Sequence, residues 1–114
     1  MSRGDRLYLE DIVESITAIA DFTTGLDVDS FRHDRKTYSA TLRELQIIGE
    51  AIGKISKETK AKDKTINWRD IKAFRNKITH EYFGVDYEIV WDIVKNELPL
   101  LKVKIENLLI NMQS

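Results

Sequence analysis

Residues 94–112, VKNELPLLKVKIENLLINM, decide the fold. Their apolar positions Val94, Leu98, Leu101, Ile105, Leu108 and Met112 alternate four and three apart. That is an a/d seam, the spacing by which an α-helix buries one stripe inside a bundle. Pro99 lies within it. A proline there removes one backbone hydrogen bond and sets its ring against the carbonyl of Lys95, so a kink near Pro99 is expected.

Outward from this seam the same periodicity recurs. Gly84 interrupts the pattern, and Asp86 can cap the last helix. Asn67 can cap a short helix from Trp68 to about Thr79, with Ile71, Phe74 and Ile78 facing inward. Residues 57–64 hold four lysines and almost no apolar side chain, which reads as an exposed, mobile loop. From about residue 35 to 56, Tyr38, Leu42, Leu45, Ile48, Ile52 and Ile55 form a helical stripe. Gly49 and Gly53 sit in this helix four apart, each costing roughly 1 kcal/mol relative to Ala, which close approach of a neighbouring backbone would justify. From residue 5 to about 22, Leu9, Ile12, Val13, Ile16, Ile19 and Ala20 fall at helical intervals opposite Glu10, Asp11, Glu14 and Asp21. Gly25 is a plausible stop, and residues 27–30, DVDS, offer caps for a short turn holding Phe31. No strand-like alternation of useful length and no repeat occurs. The reading is all-α: an up-down bundle of four main helices in one domain, 1–114.

Composition narrows the function. With no Cys among 114 residues there is no disulfide scaffold, thiolate metal site or cysteine nucleophile. Apolar runs of a few residues cannot span a membrane. The opening MSRGD has no apolar core of a secretory signal, so a cytoplasmic location is expected. The net charge of −1 conceals segregation. Residues 1–34 carry 3 basic and 8 acidic side chains, residues 35–77 carry 12 and 5, and residues 78–114 carry 3 and 6. The basic middle block can serve as a phosphate-attracting surface, or simply as solvated helix faces.

The chemistry concentrates in RNKITHEY, residues 75–82. His80, one of two histidines, has an ordinary pKa of about 6.5 suited to proton transfer near neutrality. Arg75 presents the planar fork and permanent charge that match a phosphate. Tyr82 offers a hydroxyl that can donate, accept or be modified. On a continuous helix Arg75 and His80 would stand about 140° apart, whereas Asn76 and His80 would share a face. Either the helix ends near Thr79 and the chain turns, or a second subunit brings its own copy to a shared cleft. The competing reading is a helix-end cluster with Arg75 paired to an acidic neighbour and Tyr82 in the core.

At these residues the chain resembles the HepT-like toxins of the HEPN superfamily, whose signature is Arg, four to six residues, His, any residue, Tyr. Here it reads Arg75, four residues, His80, Glu81, Tyr82, with the polar Asn76 after the arginine. The similarity extends upstream through LRELQIIGEAIGKIS (42–56) and NWRDIKAFRN (67–76), and downstream through YFGVDYEIVWDIVKNELP (82–99). Asn67 stands where many relatives have Pro before Trp68, a change of helix start and not of chemistry. The resemblance implies a metal-independent endoribonuclease without cofactor, the toxin of a toxin–antitoxin pair, built as a homodimer with the motifs meeting in a cleft. It implies a minimal nucleotidyltransferase (MNT-type) antitoxin that transfers AMP to Tyr82. Arg75 and His80 would be catalytic. Asn76 and Tyr82 would position substrate, and Lys72, Lys77 and the lysines of residues 57–64 would contact the RNA backbone.

The alternative is a non-catalytic, nucleotide- or partner-binding accessory subunit of the nucleotidyltransferase. His33, beside Asp34, lacks companions for a metal site and reads as surface. Glu50 can pair with Arg75 across the bundle. Trp68 and Trp91 read as core packing in preference to base-stacking platforms.

Overall fold

The computed structural model describes residues 3–71 and 86–112. Those residues are mostly helical, with no strand among them. α1 spans Arg3–Thr23, α2 Val28–His33, α3 Arg35–Lys54 and α4 Lys57–Lys60. A further helical turn opens at residue 68. The C-terminal helix comprises α5 (Tyr87–Asp92), a π turn (Ile93–Glu97) and α6 (Leu98–Met112).

Local chemistry sets the boundaries. α1 ends before Gly25, whose φ of 79° is the left-handed conformation that only glycine adopts freely. Asp27 caps α2 reciprocally: its carboxylate accepts from the Ser30 backbone N–H at 2.8 Å, and Ser30 Oγ accepts from the Asp27 N–H at 2.9 Å. Asp34 caps α3 by accepting from the Thr37 N–H and hydroxyl at 3.0 and 2.8 Å.

The core is the meeting of three stripes. Leu9, Ile12, Ile16 and Ile19 of α1 pack with Leu42, Leu45, Ile48 and Ile52 of α3 and with Val94, Leu98, Leu101, Ile105 and Leu108 of the C-terminal helix. Each such side chain, taken fully out of water, contributes about 1.5–3 kcal/mol before entropy is counted. The expected stripes hold, with small differences. Ala20 is exposed, and Val13, Tyr38 and Met112 are half-buried. Gly49 is buried but Gly53 is exposed, so the two do not share one close approach. Phe74 and Ile78 lie outside the described residues.

One expectation gains a specific form and another changes. The break ahead of Pro99 takes the form of a π turn, in which the Leu98 N–H reaches the Ile93 carbonyl five residues back. The wider turn accommodates a ring that would otherwise press on the Lys95 carbonyl. Residues 57–64 are not a free loop. Ser56 caps α4, and Asp5, only 3% exposed, holds this cap from the first turn of α1. The Asp5 carboxylate accepts from the Ser56 N–H at 3.0 Å, the Ser56 hydroxyl at 2.6 Å and the Thr59 hydroxyl at 2.6 Å. Thr59 is fully buried beneath it. The sequence offered no apolar signal here because the anchor is polar.

Burial pushes the Asp5 carboxyl upward, but the donors from Ser56 and Thr59 outweigh it and hold it below the ordinary value. A lowered carboxyl stabilises the fold above its unfolded pKa of about 3.9, and that contribution is lost as pH falls through the lower folded value. Asp5→Ala is expected to cost about 2 kcal/mol at neutral pH, since it leaves three donors without their acceptor. Denaturant unfolding at pH 7 and pH 3 checks both parts: the difference between wild type and variant shrinks in acid.

Thr41 is fully buried in α3, and its hydroxyl has no hydrogen-bond partner among the described residues. Thr41→Val removes the unpaired hydroxyl while keeping the branched shape. We expect a gain of about 1 kcal/mol in unfolding free energy.

Candidate functional site

The motif residues Arg75, Asn76, His80 and Tyr82, with Lys72 and Lys77, lie outside the described residues. What the structure shows is how the chain leaves toward them and how it returns. On the leaving side, Asn67 caps the turn that opens at residue 68: its Oδ1 accepts from the Asp70 N–H at 3.2 Å, and its Nδ2 donates to Asp70 Oδ2 at 2.7 Å. Trp68 is half-buried and donates its indole N–H to the Lys60 carbonyl at 3.2 Å, tying this turn to α4. Ile66 is buried just before it, and Ile71 packs against the core. The expected cap at Asn67 is therefore present.

On the returning side, Asp86 accepts from the Glu88 N–H at 2.8 Å and starts α5. The Arg32 guanidinium lies 4.9 Å from the centre of the Tyr87 ring. Val90 is fully buried. Trp91 packs on Phe31 with ring centroids 4.9 Å apart, and Phe31 on Tyr38 at 5.4 Å. Both tryptophans thus pack against the core, as expected. The segment between Ile71 and Asp86 is tethered at each end to buried structure.

Charge is distributed along the bundle axis. Asp5 at the start of α1 meets Ser56 and Thr59, so α1 and α3 run antiparallel and the lysines of residues 54–64 gather at that end. Asp86 and Tyr87 lie at the opposite end, beside α2. At the lysine end Asp63 accepts from the Thr65 hydroxyl and N–H, and its carboxyl is held below the ordinary value by those bonds, against a smaller effect of burial. Lys104 of α6 donates to the Thr65 carbonyl at 3.2 Å.

A cleft of about 390 Å³ opens between α3, residues 65–71 and the C-terminal helix. Its walls are Ile48, Ile66, Leu98 and Leu101, all buried, and its rim carries Asp70 and Glu97. Sequence reading missed this cleft because its residues come from three separate stretches. The capping pattern Asn67-x-x-Asp70 was the one local sign that Asp70 has a fixed place. A second cavity, of about 330 Å³, lies between the end of α1 and the π turn. The hydroxyls of Thr23 and Thr24 on its wall already donate to the Ile19 and Ala20 carbonyls.

His33 is exposed at the end of α2, its Nδ1 2.9 Å from the Asp29 carbonyl. Among the described residues no group of His, Asp and Glu could hold a metal ion. Glu50 is exposed on α3; its expected partner Arg75 is outside the described residues. No described helix is long and apolar enough to cross a membrane.

These features define an all-α bundle that carries an Arg-x4-His-x-Tyr segment between two anchored helix starts. The chain belongs to the ribonuclease HepT-like family, which matches residues 12–108 and so includes that segment. It is 43% identical over 108 residues to "Probable ribonuclease HepT" of Thermococcus cleftensis, covering 95% of this chain and 98% of the relative. It is 40% identical over 94 residues to MJ0127 of Methanocaldococcus jannaschii, named as a candidate RNase, covering 82% and 78%. It is 35% identical over 104 residues to TTE0752 of Caldanaerobacter subterraneus, also named as a candidate RNase, covering 91% and 93%. Among solved structures, none matches the chain at a significant level.

Proposed function

We propose that the chain is a metal-independent endoribonuclease, the toxin of a toxin–antitoxin pair, acting as a homodimer whose Arg-x4-His-x-Tyr segments face one cleft. The observation that carries this reading is the complete Arg75, His80 and Tyr82 set inside the stretch matched to a ribonuclease family.

RNA carries its own nucleophile. His80 takes the proton from a 2′-OH as that oxygen bonds to the adjacent phosphorus, and the P–O5′ bond breaks with a proton delivered to the leaving oxygen. The products are a 2′,3′-cyclic phosphate and a 5′-hydroxyl, and no protein nucleophile is consumed. Arg75 stabilises the charge that builds on the phosphate oxygens. Asn76 orients His80 or bonds a phosphate oxygen, and Tyr82 positions the strand. Lys72, Lys77 and the lysine end of the bundle attract the backbone without reading sequence. A nucleotidyltransferase antitoxin that placed AMP on Tyr82 would add bulk and negative charge where phosphate must bind.

The test is cleavage of RNA by purified protein with a chelator present. Wild type is expected to cut. Arg75→Ala and His80→Ala, with unchanged helical content and unfolding midpoint, are expected to lose at least about 100-fold in rate. Unchanged cleavage in either variant removes that residue from the catalytic role. An inactive wild-type sample of unmodified intact mass would transfer the assignment to an accessory, non-catalytic subunit, whereas added AMP on Tyr82 would identify a silenced toxin.

A further inference from the structure

The second cavity, of about 330 Å³, is the floor of a groove between two antiparallel helices. α1 runs from the Asp5 end of the bundle toward α2, while the C-terminal helix runs from Trp91, beside Phe31 of α2, back to Lys104 at the lysine end. Ile16, Ile19 and Ala20 on one wall therefore stand level with Val94, Leu98 and Pro99 on the other. Each wall carries a stripe on its solvent side. On α1 it is Glu10, Glu14, Thr17 and Asp21, all exposed. On the C-terminal helix it is Lys95, Pro99, Lys102 and Glu106, exposed except for the half-buried Lys102. Both stripes repeat at spacings of four, three and four residues, so each keeps to one side of its helix.

The two stripes are opposite in charge where their spacing matches. Glu14 and Asp21 are seven residues apart, as are Lys95 and Lys102, a rise of about 10 Å in each case. Among the described residues, the side chains of Glu14, Asp21 and Lys102 make no hydrogen bond or ion pair. The Lys95 ammonium lies 4.7 Å from the centre of the Trp91 ring, which holds its position and leaves its charge without a carboxylate partner. Such a face complements a copy of itself.

We infer that a second copy of the chain packs over this groove about a twofold axis parallel to the two helices. That axis lays α1 of each copy on the C-terminal helix of the other, antiparallel to it. Asp21 of one copy meets Lys95 of the other, Thr17 meets Pro99 and Glu14 meets Lys102, and each pair occurs twice. The axis leaves heights along the bundle unchanged, and these residues already stand at comparable heights because their neighbours line one cavity. A twofold axis across the helices would instead set α1 on α1 and the lysines on their own copies, like charge against like. One turn beyond the pairs, Glu106 comes to the Arg6–Glu10 ion pair, whose guanidinium offsets the two carboxylates. Exposed ion pairs contribute little singly and are screened by salt, so the association is weak and salt-dependent. It gives the proposed homodimer a surface, but the stripes carry it and the ribonuclease reading does not.

The experiment is sedimentation equilibrium of the full chain at about 50 and about 500 mM salt. Wild type is expected to self-associate, more weakly at the higher salt. Glu14→Lys and Lys102→Glu, each alone, set two like-charged pairs in the interface and are expected to lower the association constant by roughly ten-fold. An equimolar mixture of the two variants restores both pairs in the mixed dimer, as does the double variant in its own, and both are expected to associate as wild type does. Asp21→Lys and Lys95→Glu repeat the exchange at two exposed positions, so the test stands even where a change at the half-buried Lys102 disturbs folding. A wild type that stays monomeric, single variants that associate unchanged, or mixtures of folded variants that fail to recover at both pairs overturn the inference. RNA cleavage is read on the same samples. Cleavage by a wild type whose association ignores these charges overturns the interface and leaves the ribonuclease reading intact. Recovery on mixing, in a protein that cuts no RNA, upholds the interface and removes the ribonuclease reading instead.

Discussion

A single residue without a backbone N–H, Pro99, governs how the last helix serves the bundle. An uninterrupted α-helix would need a donor at this position and would set the ring against the Lys95 carbonyl. The π turn at Ile93–Glu97 resolves this by letting Leu98 donate to Ile93. It also resolves a problem of register. Val90, Val94 and Leu98 are all buried, at two successive spacings of four. In an ideal α-helix those spacings drift about 40° each around the axis, carrying the stripe off the core. The wider turn absorbs the surplus, so the faces of α5 and α6 both look inward. The same turn presents Glu97 at the rim of the cleft. The packing of both halves of the C-terminal helix and the position of Glu97 therefore depend on one local adjustment.

The opposite end of the bundle is fastened by a different kind of contact. Asp5 is nearly buried, yet its carboxyl is held below the ordinary range, because hydroxyl and amide donors from Ser56 and Thr59 replace the water it gave up. This contact closes α1 onto the end of α3 and orders the polar stretch that follows. Trp68 then joins that stretch to the start of the next helix through the Lys60 carbonyl. The lysines of this region are solvent-facing groups on an ordered scaffold, with α4 held from below by Thr59. The orientation of that basic surface relative to the core is consequently defined.

The helical stripes were legible because periodicity is a one-dimensional signal, and Leu9 through Ile19, Leu42 through Ile52 and Val94 through Leu108 carry it plainly. Caps at Asp27, Asn67 and Asp86 were legible for the same reason: they act within three residues. Asp5 with Ser56 was not, since its partners are 51 residues apart and no pattern links them. The form of the break before Pro99 was not legible either, because a missing donor predicts a disturbance without choosing between a kink and a π turn. The motif RNKITHEY was legible as chemistry by residue type and spacing, and the family match spans it together with the sequence on both sides. The cleft was invisible to such reading, because Ile48, Ile66, Asp70, Glu97 and Leu101 become neighbours only after three stretches pack.

Charge along the bundle constrains how a strand of RNA can lie on it. Lysines of residues 54–64 mark one end, and the chain returns from the motif at the other, at Asp86. Between these ends stand Asp70 and Glu97, which turn phosphates away from the cleft they border. On the proposed ribonuclease reading, the lysine end would supply affinity that is indifferent to sequence, while Asp70 and Glu97 would oppose a phosphate brought beside them. The strand is therefore expected to lie along the lysines and away from the carboxylates, because a charge that attracts and a charge that repels the same backbone act on it together.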